Sequence, residues 1–298
     1  ASAWATASAG SSTSSSAHGF RPIKDIPSTK GGLAMKRELK IGLTLGGGGA
    51  RGFAHLGVIQ RLQELGVSFH CISGTSIGAI IGGILAAGTL DRAFAWCNEP
   101  DWKKWPKLLF ESRPSAKALI KGKGIEKLLT SLIPAQRFED LAIPFAAVAT
   151  DLHTGEAVTM REGDLISAIS ASMTIPGVFR PIEREGRVLV DGGLVDPLPI
   201  AACRALGAER VIAVDINPPD EHPPKPFEKL TLVDVLMDSF RIFNVEMTRH
   251  TLTSDPPDVL VSPAVGDVMM LDFRNAQALI ERGRQAVDEA AIVSLLNA

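Results

Sequence analysis

From Leu39 onward the apolar positions of the chain alternate between two periods. "KIGLTL" (residues 40–45) reads as a short buried strand that runs into glycines, and Gly52–Gly66 places Phe53, Val58, Ile59, Leu62 and Leu65 close to helical spacing. "FHCIS" is the next strand, and Ile77–Ala87, apolar all round, predicts a central helix. "FAAVATDL" followed by "GEAVTMREG" predicts a hairpin around His153-Thr154-Gly155. A helix near Leu165–Ser172, the strand "RVLVDGG", a helix over Pro199–Leu206 and the strand "RVIAVDI" follow. Leu232, Val235, Leu236, Phe240, Phe243 and Met247 fall on one face of a helix over Thr231–Thr251. "DVLVSP" is a late strand, and Asp272–Leu296 predicts one final helix. Strands alternating with helices predict a layered α/β fold with a mainly parallel sheet.

The first 34 residues break this rhythm. "ASAWATASAGSSTSSSAHG" is rich in Ala, Ser and Thr and has almost nothing to bury, so residues 1–34 read as a disordered or vector-derived leader before a native start at Met35. Residues 35–298 read as a single domain, because strand–helix alternation resumes after the proline-rich stretch "INPPDEHPPKPFEK". Of the 298 residues 45% are hydrophobic, enough for a sizeable core, and 31 basic against 33 acidic residues give no pull toward nucleic acid. Cys71, Cys97 and Cys203 are too widely spaced for a metal motif and read as buried thiols in a reducing compartment. The longest apolar run, Ile77–Ala87, is too short to span a bilayer.

Chemistry enters at the strand ends. "GGGGARG" (Gly46–Gly52) follows the first strand and opens a helix, which leaves backbone N–H groups free to hold an anion. Gly47, Gly49 and Gly52 also satisfy the dinucleotide fingerprint GxGxxG, but the acidic residue that a ribose requires about 20 positions further on is absent: position 72 is isoleucine. No Gly-Lys-Ser/Thr follows to make a phosphate-binding P-loop.

Gly74-Thr75-Ser76-Ile77-Gly78 is GxSxG where a strand becomes a helix, as a nucleophile elbow requires. A serine hydroxyl needs a base. His153, His222 and His250 fall in a turn, the proline-rich loop and a helix end, and none follows a strand as a triad histidine would. Asp191 closes the strand "RVLVD" and precedes Gly192 and Gly193. It could be only an Asp-Gly turn, or it could share a crevice with Ser76 at the sheet's edge.

GGGGARG after the first strand, GTSIG after the second and DGG after a later one together resemble the patatin-like phospholipase family, in its bacterial and neuropathy-target-esterase-like branch; "VATDLHTGE" and "ASMTIPGVFRPI" add to the likeness. The resemblance implies a three-layer α/β/α sandwich and a Ser–Asp dyad. By position, Ser76 is then the nucleophile and Asp191 the base, and the backbone of Gly47, Gly48 and Gly49, with Arg51 nearby, forms the oxyanion hole. It implies hydrolysis of an acyl ester, phospholipid or lysophospholipid with no metal and no organic cofactor. The protein is expected in the cytoplasm, with peripheral contact at the inner membrane face. Trp96, Trp102 and Trp105, set among Lys103, Lys104 and Lys107, suit such an interface, or pack over the crevice rim. A catalytically idle family member acting as a regulator, and a dinucleotide-dependent oxidoreductase, are the rival readings.

Overall fold

The chain's architecture is given by a computed structural model, which describes residues 39–98, 122–217 and 226–298. The expected leader, Trp102, Trp105, their neighbouring lysines and His222 lie outside the described residues.

The strands are β1 (Ile41–Leu45), β2 (Cys71–Thr75), β3 (Phe145–Asp151), β4 (Ala157–Met160), β5 (Ile182–Arg184), β6 (Arg187–Asp191), β7 (Arg210–Val214) and β8 (Val259–Val261). They form one sheet in the order β5-β6-β3-β2-β1-β7-β8, with β4 also paired to β3. The β1–β2, β2–β3, β1–β7 and β7–β8 pairs are parallel, and β3–β4, β3–β6 and β5–β6 are antiparallel. The helices are α1 (Phe53–Glu64), α2 (Ile77–Ala86), α3 (Leu90–Cys97), α4 (Lys123–Leu132), α5 (Leu165–Ser172), α6 (Ile200–Ala205), α7 (Leu232–Ser254), α8 (Ala276–Gln285) and α9 (Glu289–Asn297).

The central strands are buried along their whole length, as strands covered on both faces must be. Ile41, Leu43 and Leu45 of β1 face the larger core, with α1, α2, α5 and α8. On the opposite face Cys71, Val211 and Ala213 pack against Leu198, Ile200 and Cys203 around α6, with Leu252 of α7 beside them. Helix, sheet and helix therefore make three layers. Gly42 sets the spacing on the α6 face, since a Cβ there would sit 2.3 Å from Cys203 Sγ.

Two expectations need correction. Asp272–Leu296 is not one helix: α8 ends at Gln285, and Asp288 caps α9 by accepting from the N–H groups of Ala290 and Ala291. The face of α7 drawn through its large apolar residues does not bury as a unit. Phe240 is buried, but Leu232, Val235, Leu236 and Phe243 are exposed, and the inward side carries Asn244 and Thr248. Periodicity located that helix and misjudged which side meets the core.

The α1–α8 contact is made backbone to backbone. A Cβ at Gly283 would fall 1.9 Å from Ala54 O, and one at Gly57 only 1.8 Å from Ile280 O. Gly283→Val is therefore expected to push the helices apart and lower the unfolding free energy by at least ~2 kcal/mol, read as a lower urea midpoint at unchanged slope. An unchanged midpoint would show that the two helices can separate freely.

Candidate active site

The register of β3 brings the site together. β2 pairs with β3 up to Thr75 opposite Val148, and β6 takes up the next position, Asp191 opposite Ala149. β4 pairs with Ala147–Thr150 and so occupies the other edge of β3 across both stretches. β2 and β6 thus share one edge of β3, end to end. β2 runs parallel to β3 and β6 antiparallel, so their C-terminal ends meet head on.

At that junction Ser76 has φ 56° and ψ −122°, a positive φ that side chains rarely adopt. The flanking glycines are what permit it: a Cβ at Gly74 would lie 2.3 Å from Gly78 O, and one at Gly78 2.1 Å from Leu45 O. The turn is further tied by Ser172. Its hydroxyl accepts from Ser76 N (2.9 Å) and donates to Val148 O (2.6 Å).

Ser76 Oγ donates to Asp191 Oδ2 at 2.6 Å. Asp191 Oδ1 accepts from Gly193 N at 2.8 Å, which explains the close turn after the aspartate; a Cβ at Gly192 would strike Val148 O at 2.3 Å. The main chain of Asp191 is also pinned, its N–H to Thr174 O and its carbonyl by the Thr150 hydroxyl. Asp191 is fully buried. Burial pushes its carboxyl up to about 7, and the bonds from Ser76 and Gly193 pull the other way. No histidine in the described residues hydrogen-bonds this pair: His153 and His250 are exposed. His55 is buried and bonds Gly46 O at 2.8 Å, while burial lowers its imidazole to about 4.

That His55 contact is one of several that fix the glycine loop. Gly46 N donates to Val214 O, Asn217 Nδ2 to Gly47 O, and Ala50 N to Met270 O. Gly47 N donates to Pro197 O at 2.9 Å, so Gly47 is corrected from the expected set of free donors. Its part is steric, for a Cβ there would come 3.3 Å from Ser76 Cβ. Gly48 (φ 154°) and Gly49 (φ 60°) have N–H groups that meet no acceptor among the described residues. A Cβ at Gly49 would lie 2.2 Å from Met270 O. Arg51, expected beside the loop, has a buried guanidinium that donates to Val268 O (2.7 Å) and Gly266 O (3.4 Å), bracing the 266–270 segment. Asn217 and His55 carry no motif and were not foreseen; Ser172 lies in the stretch "ASMTIPGVFRPI", but no role was read for it.

An apolar pocket opens beside Ser76 and Gly49 and continues between α2, α3 and α4. The assembly holds a serine hydroxyl against a carboxylate, two open N–H donors and an apolar cavity, the parts that acyl transfer requires.

A family model for patatin-like phospholipases matches residues 43–204. The chain is 39% identical over 217 residues to an uncharacterized NTE family protein of Mycobacterium tuberculosis, covering 72% of this chain and 60% of that one. It is 30% identical over 292 residues to another uncharacterized NTE family protein of that organism, covering 90% and 50%. It is 36% identical over 196 residues to lysophospholipase NTE1 of Mycosarcoma maydis, covering 63% of this chain and 10% of that protein. The chain thus spans 60% or less of the length of these relatives. Among solved structures, VipD from Legionella pneumophila is similar at a TM-score of 0.49 and 16% identity, over 87% of this chain and 67% of that one.

The raised carboxyl of Asp191 has a consequence for stability. A folded-state value near 7, above the ordinary 3.8, means that the folded chain binds this proton more tightly than the unfolded one. The associated stability is complete below about 4 and is lost as pH rises through 7. Asp191→Asn, which keeps a neutral group of the same shape, is therefore expected to raise the melting temperature relative to wild type at pH 8.5 and to leave it nearly equal at pH 4. A variant destabilised equally at both values would contradict this.

Proposed function

The chain belongs to the patatin-like phospholipase family, and on that premise we propose that it is a serine hydrolase of lipid acyl esters, with Ser76 as nucleophile and Asp191 as base. The observation that carries this reading is the 2.6 Å bond between Ser76 Oγ and Asp191 Oδ2. Asp191 accepts the Ser76 proton as Oγ attacks the acyl carbonyl. The developing oxyanion docks on the N–H groups of Gly48 and Gly49, where each fixed donor is worth about 3 kcal/mol in the transition state. Collapse of the tetrahedral species breaks the ester bond, and Asp191 returns the proton to the leaving alcohol. Water, deprotonated by the same carboxylate, then releases the acid from Ser76. A base titrating near 7 suits this cycle, because it is ionised at neutral pH yet basic enough to take a proton.

The substrate class is an acyl ester, phospholipid or lysophospholipid. Peripheral contact with a lipid surface on the cytoplasmic side belongs to the same reading. What supports it is the exposed apolar side of α7: Leu232, Val235 and Leu236 face outward, and Leu236 packs on Gly177, two residues from Phe179 in the pocket wall. Among the described residues no helix is long and apolar enough to cross a membrane.

Labelling with a fluorophosphonate probe is expected at Ser76 and to vanish in Ser76→Ala, together with hydrolysis of p-nitrophenyl esters. Asp191→Asn is expected to lose at least ~100-fold in kcat, while His153→Ala and His250→Ala keep wild-type rates. A folded but inactive histidine variant would replace the dyad by a triad.

The pH profile gives a separate check. The reactive form has Asp191 ionised, so kcat/KM is expected to rise with pH, with a midpoint near 7, and then level off. A profile already flat from pH 5 upward would remove Asp191 as the titrating base.

A further inference from the structure

The apolar pocket has a direction and an end. Ile77, Ile80, Ile81 and Ile84 line it, a spacing that places all four on one side of α2. Their burial deepens with distance from Ser76: Ile77 and Ile80 are half-buried, Ile81 and Ile84 fully buried. Facing α2, α4 contributes Leu129 and Leu132. Ile84 is the last lining residue of α2 and Leu132 the last of α4, and a single residue ties them together: Thr89 N donates to Ile84 O (3.0 Å) and Thr89 Oγ1 to Leu132 O (2.8 Å). Ala93 of α3, buried at 2% exposure, also lines this pocket. Ser76 is the polar group at the near end, and the described lining side chains beyond it are apolar apart from the Cys97 thiol and the Trp96 indole N–H. An apolar slot of this kind accepts a hydrocarbon and repels a headgroup.

Resting on the reading of Ser76 as the acylated residue, we propose that this slot is a ruler for acyl chains, with Ile84 and Leu132 as its floor, and that it selects a chain of roughly ten carbons. The length follows from helix geometry. Eight residues separate Ser76 from Ile84 along α2, and at ~1.5 Å of rise each they span about 12 Å. An extended staggered hydrocarbon advances roughly 1.25 Å per carbon. About nine carbons beyond the carbonyl thus reach the floor. Until then each added methylene leaves water for an apolar wall, worth up to roughly fourfold in kcat/KM. Past the floor a further carbon must fold back or displace Ile84, and the gain stops or reverses.

The test is the kcat/KM series for p-nitrophenyl butyrate, hexanoate, octanoate, decanoate, dodecanoate and palmitate in one fixed detergent, with fluorophosphonate labelling of Ser76 measured on the same preparations. Wild type is expected to climb to a maximum at decanoate and fall by palmitate. Ile84→Phe, which raises the floor, should move the maximum to octanoate or hexanoate. Leu132→Ala, which lowers it, should move the maximum to dodecanoate. A wild-type series that is flat, or that still rises at palmitate, overturns the ruler even if a variant fails to fold. So does a maximum that stays in place in both folded variants. In each of these results Ser76 still labels, and the dyad reading stands. Loss of both labelling and hydrolysis in the folded wild-type protein would instead defeat the dyad reading and take the ruler with it.

Discussion

β2 and β6 abut on one edge of β3, and this abutment is the constraint on which the site depends. Thr75 pairs with Val148 and Asp191 with Ala149, so the strand that leads to Ser76 ends where the strand that carries Asp191 ends. In a purely parallel sheet two such residues would sit on different strand tips, at least one strand spacing apart. Reversing β6 lets the tips meet directly, and a 2.6 Å bond needs no intervening imidazole. The price is steric, and the glycines at 74, 78 and 192 are where it falls, each with a backbone carbonyl within 2.3 Å of a would-be Cβ.

The same junction sets the electrostatics. Asp191 is sealed under the turn that it helps to close, and its carboxyl rises to about 7 because burial outweighs two hydrogen bonds. A carboxylate so placed works against the stability of the fold at alkaline pH, where the proposed reaction would use it as a base. Such opposition between stability and chemistry is expected where a charged group must act without water around it.

Around this pair the fold supplies two surfaces of opposite character. On one side the glycine loop presents the N–H groups of Gly48 and Gly49, held still by bonds from His55, Asn217, Ala50 and the 266–270 segment that Arg51 braces. On the other, α2 presents a wall of isoleucines that starts one residue after Ser76. Open N–H donors and an apolar pocket therefore meet at one hydroxyl.

The sequence by itself determined the local pieces. Strand–helix alternation gave the layered class and GxSxG gave the elbow at Ser76, because each is fixed by residues adjacent in the chain: small side chains where backbones touch, and apolar ones at the period of the element; the DGG pattern left Asp191 open, and only the family resemblance singled it out. It also located α7, though not its inward side, since Asn244 and Thr248 face the protein while Leu232 and Phe243 do not. The break at Asp288 was missed because an aspartate within a helical pattern is read as a cap only when the chain turns there. What the tertiary structure decided is everything set by partners distant in sequence. Gly47 leaves the set of free donors because Pro197, 150 residues on, takes its N–H. Arg51 turns from the pocket toward Val268 and Gly266, and Ser172 and Asn217 join the site only because the sheet brings their elements to it. Hydrogen-bond allegiance depends on which groups arrive within 3 Å, and only the folded chain fixes that.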